Sequence, residues 1–212
     1  MPPELTALKN PIAIHKDYVV DQPSTFRIQQ QGKALSGGQF IVFRENELAG
    51  SSPGGSQALI SIRGKYGSAT EKRAFFDASG LPLLTLYHKP VGVTWYIELP
   101  GGHDTAIARL APRFSIFKDK LDVDVRNATI PGEEVTLHVR GQDIWKQRTN
   151  VYVGSAIVMT AKRTDKLSTY LPGRRPDWMV EIAAGMDILL ASAIMVVLAS
   201  TMYNSSMKSS SS

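Results

Sequence analysis

Cysteine is absent from the 212 residues. Disulfides, thiolate nucleophiles, Cys-ligated zinc and iron–sulfur ligation are excluded together. Histidine is scarce, and His15, His88, His103 and His138 show no ligand-like spacing, so no metal site is expected. Neither sign of charge dominates: 24 Lys+Arg stand against 19 Asp+Glu, a net +5. That excess is too mild for a nucleic-acid footprint, and nucleic acid is not an expected partner. The first ten residues lack both a basic stretch and an apolar stretch, so no export leader is expected. The acceptor patterns Asn127-Ala128-Thr129 and Asn204-Ser205-Ser206 are therefore read as coincidence.

Catalytic signatures are missing as well. No GxxxxGK[ST] loop, GxSxG elbow, HExxH pair or EF-hand loop occurs. Leu35-Ser36-Gly37-Gly38-Gln39 spells the signature of ABC ATPases, but the phosphate loop that chemistry requires is not there. Phe-Ile-Val-Phe-Arg follows it, a strand rather than a helix, so the string reads as a glycine turn. Asp122 and Asp124 share one strand face, and Glu133-Glu134 follows a Pro-Gly turn. Solvated strand faces account for both. The chain is not expected to be an enzyme, and no cofactor is expected.

What is present is a packed-domain composition, 43% apolar and 20% charged. Most of it alternates at period two between turn signals, which argues for strands. The candidates are Ile12–Ile14, Thr25–Gln30, Gln39–Arg44, Ala58–Lys65, Ala74–Asp77, Leu83–His88 and Thr94–Leu99. Ala106–Leu110, Ser115–Lys118, Leu121–Arg126, Val135–Arg140, Asn150–Val153, Ala156–Lys162 and Trp178–Ile182 continue the series. Residues 49–57 and 164–176 read as loops.

The strongest feature is the run from Ile188 to Met202, interrupted only by Ser192, Ser200 and Thr201 and carrying no charge. Ala184 to Tyr203 spans roughly 30 Å as a helix, with Asp187 in its first turn. Apolar on every face, it belongs either inside protein or inside a bilayer. Its uncharged core is short for a span, which normally needs about 20 residues. About twelve strands in a barrel leave a lumen that a helix ~10 Å across would fill. The barrel is the preferred reading: mainly β, about twelve strands enclosing one central hydrophobic C-terminal α-helix. Residues 1–9 are expected to be a flexible N-terminus and 10–203 one domain with its core helix at about 184–203. Residues 204–212 are expected to be a disordered Ser-rich tail.

Several strings in this order resemble one family: Asn10-Pro11-Ile12-Ala13-Ile14, then Phe76-Asp77-Ala78-Ser79-Gly80-Leu81-Pro82-Leu83-Leu84-Thr85-Leu86. Lys120-Leu121-Asp122-Val123 and Gly185-Met186-Asp187 before the apolar helix complete the set. They are similar to the LURP-one-related family of the tubby C-terminal-like superfamily, which also contains phospholipid scramblases. The resemblance covers about residues 10 to 203. It implies a twelve-stranded barrel around a central hydrophobic helix. It implies no settled activity: plant members are associated with defence, a link to membrane-tethered transcription factors is drawn by analogy with tubby, and tubby proteins bind phosphoinositides. No basic residue here is matched to the tubby lipid site. Scramblases carry an acidic calcium segment before their helix, whereas Pro176-Asp177-Trp178-Met179-Val180-Glu181 has few carboxylates, so calcium is not carried over.

The basic pairs are the candidate site residues: Lys72 with Arg73, Lys118 with Lys120, Lys162 with Arg163, and Arg174 with Arg175. Such pairs can hold lipid phosphates through charge-assisted hydrogen bonds, or lie as solvated edges that deter strand aggregation. The expected function is a non-enzymatic intracellular binding or regulatory module, with a phosphoinositide or another lipid at a membrane surface as its ligand. The alternatives are a protein-interaction, transcription- or defence-related regulator without a lipid role, or a tail-anchored, scramblase-like membrane protein. The expected location is the cytoplasm, the membrane periphery or the nucleus, and the expected state is a monomer.

Overall fold

The computed structural model describes residues 4–31, 39–44, 58–64, 71–102, 105–113, 120–142, 148–164 and 177–209, with side chains as far as Thr201. Twelve strands follow one another: β1 (Ser24–Gln31), β2 (Gln39–Arg44), β3 (Ala58–Gly64), β4 (Arg73–Asp77), β5 (Pro82–His88) and β6 (Trp95–Glu98). They continue as β7 (Ala108–Arg113), β8 (Lys120–Arg126), β9 (Glu134–Gly141), β10 (Arg148–Val153), β11 (Ala156–Arg163) and β12 (Asp177–Ile182), then α1 (Ile188–Ser209). Each strand pairs antiparallel with its sequence neighbour, and β1 closes on β12, so the sheet is a closed barrel with no free edge.

Period two explains the wall. Leu121, Val123 and Val125 of β8 point inward and are buried, while Asp122 and Asp124 point outward. Leu137 and Val139 of β9 and Ile60 and Ile62 of β3 line the same interior. The lumen this leaves is filled by α1, whose residues from Ile188 to Ala199 are all buried. Burying each of its large aliphatic side chains contributes on the order of 1.5–3 kcal/mol, so the barrel and helix stabilise each other. No helix among the described residues is long and apolar enough to cross a membrane. The apolar run that admitted a tail-anchor reading is the core of the barrel.

The strand expectations match closely, with two exceptions. Ile12–Ile14 forms only an isolated bridge, Ile12 to Met186, and 115–118 lies outside the described residues. The helix begins four residues later than expected and continues to Ser209, into the serines expected to be a disordered tail. Its start is set by Gly185, at φ 88°, where a Cβ would lie 2.8 Å from Leu8 Cβ. Within the segment expected to be a flexible N-terminus, residues 5–8 are tied down. Thr6 N–H donates to Ile157 O at 2.8 Å and Leu8 N–H to Ala184 O at 2.9 Å, with Leu5 and Leu8 packed on the core.

That segment closes one end of the barrel, the capped end, where α1 begins. Asp187, 0% exposed, is the helix N-cap. Its Oδ1 accepts from Leu189 N–H at 2.6 Å, and its Oδ2 accepts from Ile14 N–H at 2.9 Å and His15 N–H at 3.0 Å. Burial pushes its carboxyl up to about 6, and the backbone donors only partly oppose this. Buried Asn127 adds a second clasp, accepting from Ala13 N–H at 3.1 Å and donating to Pro11 O at 2.9 Å. Its side chain is thereby spent inside the fold, so the Asn-Ala-Thr pattern there is no surface acceptor.

The Asp77-to-Pro82 string also has a structural explanation. Asp77 Oδ1 accepts from Ser79 N–H at 2.9 Å, Ser79 Oγ at 2.7 Å and Leu81 N–H at 2.8 Å, and Gly80 takes φ 89°. This is an Asx-type turn joining β4 to β5. The Ser79 hydroxyl and then the Leu81 amide hold the Asp77 carboxyl below its ordinary range.

Candidate functional site

In a closed meander, successive turns alternate between the two ends of the barrel. The exit end is where α1 leaves the lumen, and the start of β4 lies there. Arg73 Nη1 donates to Ser200 Oγ and, at 3.5 Å, to Val196 O. The end of β1, the start of β2, the end of β5, the start of β6 and the start of β8 all share this end, as the registers require.

Charge is unevenly divided between the two ends. At the exit end, Arg63, Lys72, Lys89, Arg113, Lys120, Arg148 and Lys162 are exposed at or beside the strand ends, with Arg140 half-buried. Glu71 and Asp177 are the nearby carboxylates, with Asp122 one pleat further in. At the capped end the balance of exposed and half-buried charges reverses: Glu4, Asp17, Asp21, Asp77, Glu98, Glu133, Glu134 and Glu181 face Lys9, Lys16, Arg44, Arg109 and Arg126. Among the described residues, the barrel is basic at one end and acidic at the other.

Several exit-end cations are direct cross-strand neighbours. Lys120 lies opposite Arg113 on one side and Arg140 on the other, and Arg148 lies opposite Lys162. Like charges placed this way oppose the pairing of their strands. Asp122 offsets part of this, accepting from Arg113 Nε at 2.8 Å and from Arg140 Nη2 at 3.0 Å, with His138 Nδ1 at 2.9 Å. Burial pushes the Asp122 carboxyl up, but these partners outweigh it and bring it down to about 2. No salt bridge among the described residues reaches Lys120, Arg148 or Lys162, so their charge is presented to solvent.

The sequence candidates distribute as follows. Lys72 and Lys120 are exposed on the exit end. Arg73 is 6% exposed and turned into the lumen. Its guanidinium lies 5.7 Å from the Phe40 ring centre and 5.3 Å from that of Trp95, and 3.7 Å from Glu71 Oε2. Burial lowers it to about 10, with Glu71 opposing. Arg73 is thus a latch on the last buried turn of α1. Adjacent strand residues face opposite ways, which is why this pair does not act as one grip. Lys118, Arg174 and Arg175 lie outside the described residues. Lys162 is exposed and Arg163 buried, the same split.

The exit end also carries the β5–β6 connection, Lys89-Pro90-Val91-Gly92-Val93-Thr94, the hairpin that the flanking strand patterns predict, and both its valines are exposed. Among the described residues, no group of three or more His, Asp or Glu side chains is arranged to hold a metal ion.

Comparison with known proteins places these features in context. The family model described as LURP-one-related matches residues 24–199. No curated protein matches the sequence. The X-ray structure of an Arabidopsis thaliana protein superposes with a TM-score of 0.61 at 17% identity, covering 91% of this chain and 99% of that one. At that identity the likeness speaks for the shared barrel alone.

Proposed function

The chain belongs to the LURP-one-related family, and from its charge distribution we propose that it is a non-enzymatic binding module whose exit end docks on an anionic membrane surface. The observation that carries this reading is the separation of charge along the barrel axis, with exposed cations held side by side at the exit end. Each Lys or Arg near an anionic leaflet contributes about 1 kcal/mol. Lys72, Lys89, Lys120, Arg148 and Lys162 together would give about 5 kcal/mol, a sub-millimolar attraction. That is peripheral, reversible and salt-sensitive binding, suited to a protein that works at the cytoplasmic face of a membrane. Lipid phosphates are the chemistry that Lys and Arg at this end would recognise.

Co-sedimentation with phosphatidylcholine vesicles, with and without phosphatidylserine or a phosphoinositide, tests the reading. The wild type should pellet with anionic vesicles only and be released as salt is raised. A Lys120→Glu/Lys162→Glu variant should bind at least tenfold more weakly, since both side chains are solvent-exposed and their reversal leaves the fold intact. Absence of any pelleting with anionic vesicles would remove the membrane reading and leave a protein partner as the module's ligand.

A further inference from the structure

The exit end carries more than charge. Val91 is 90% exposed and Val93 64% exposed, on either side of Gly92, which takes φ 102° with nothing within 4 Å of where its side chain would begin. The last paired residues of the hairpin are His88 and Trp95, so the six residues between them project beyond the sheet. The other large exposed apolar side chains among the described residues, Leu81 and Ile130, lie in turns at the capped end. Among the described residues, the two valines are therefore the large exposed apolar side chains of the basic end.

What flanks them is ordered. Tyr87 and Tyr96 are paired across β5 and β6 on the outer face, ring centres 5.7 Å apart. Lys72 Nζ lies 5.5 Å from the centre of the Tyr87 ring and Lys89 Nζ 5.3 Å from that of Tyr96. A protruding aliphatic tip, a tyrosine pair behind it and an ammonium beside each ring reproduce the sequence of environments met on entering a bilayer. Aliphatic groups suit the acyl boundary, amphipathic rings the headgroup level and lysines the phosphates. A surface with no apolar neighbour would give these valines nothing to bury against. Charge alone also supplies only weak attraction, and stable peripheral binding takes a second signal.

We propose that the β5–β6 hairpin is an insertion finger: Val91 and Val93 enter the interfacial layer of an anionic bilayer while Lys72 and Lys89 engage the phosphates on either side. This rests on the reading of the exit end as a membrane-docking surface.

Because the chain has no cysteine, Val91→Cys introduces a unique attachment point for an environment-sensitive dye, with Leu81→Cys at the capped end as the control. With anionic vesicles, the dye at 91 should shift to the blue and be quenched by lipids carrying a spin label near the headgroup. The dye at 81 should do neither. In parallel, Val91→Asp/Val93→Asp should still pellet at low salt but bind at least tenfold more weakly at a salt concentration that leaves half of the wild type on the vesicles. If the labelled protein pellets and the dye at 91 stays unshifted, the finger is overturned and the charge-based docking stands. If neither wild type nor variant pellets, docking and finger fall together.

Discussion

Replacing Asp187 by alanine tests how the capped end is held, and its cost can be worked out donor by donor. The substitution removes the N-cap of α1 and leaves the amides of Ile14, His15 and Leu189 without the oxygens they now donate to. Loss of a cap costs about 1 kcal/mol. Each buried donor left unsatisfied costs about 1–3 kcal/mol, and not all three can find water. A total near 4 kcal/mol at neutral pH is expected. With a urea m-value of about 3 kcal/mol/M for a chain of this size, the midpoint should fall by more than 1 M. Far-UV circular dichroism against urea gives that midpoint directly.

The pH dependence sharpens the test. Burial raises the folded-state pKa of Asp187 from 3.8 to about 6. Between those values the folded protein binds more protons at this site than the unfolded chain does. This group's contribution is therefore greatest below 3.8 and is lost as pH rises through about 6. The gap between wild type and Asp187→Ala should widen as pH is lowered from 7 toward 4, by up to about 3 kcal/mol. A gap that narrows on acidification would mean the three backbone donors outweigh desolvation, and would refute this account of the capped end.

Other substitutions probe the core and the outer wall. Ser192 is fully buried with no hydrogen-bond partner for its hydroxyl, so Ser192→Ala should leave stability unchanged or raise it by up to about 1 kcal/mol. A loss beyond 1 kcal/mol in urea denaturation would count against a dry, unpartnered hydroxyl. Ile194→Asp puts an unpaired charge in the middle of the lumen and should abolish cooperative folding. A native near-UV spectrum for that variant would contradict the central-helix assignment. Asp122, held down to about 2, works in the opposite sense to Asp187. Its contribution is present above about 3.8 and is lost as pH falls toward 2. Asp122→Asn should therefore be destabilised by about 2 kcal/mol at pH 7 and converge with wild type near pH 2.

Much of this architecture was written in the sequence. Alternation at period two located the strands, and the all-round apolar run from Ile188 announced a helix that had to be enclosed. The Gly185-Met186-Asp187 string was visible too, though its meaning was not. Gly185 is required because Leu8 passes beside it, and Asp187 because amides more than 170 positions away in the chain need its oxygens. Long-range closure of this kind leaves no local trace, which is why residues 4–9 read as a loose end. The site was hidden for a different reason. A meander returns to the same end only at every second turn, so exit-end cations and capped-end carboxylates alternate along the chain and cancel in any running sum. Sorting the turns by parity, once the strands were assigned, would have revealed the charged ends. The same alternation could have shown that Arg73, two residues before inward Phe75, turns away from Lys72.

The membrane reading predicts which end of the barrel meets lipid, and hydrogen exchange on anionic vesicles measures that most directly. Binding should protect amides of the β5–β6 hairpin and of the exit-side strand ends near Lys120, Gln142 and Lys162. The turns at Asp77–Pro82 and Asn127–Glu133 should exchange as in solution. Protection confined to the capped-end turns, or vesicle binding with no protection at the exit end, would contradict the account.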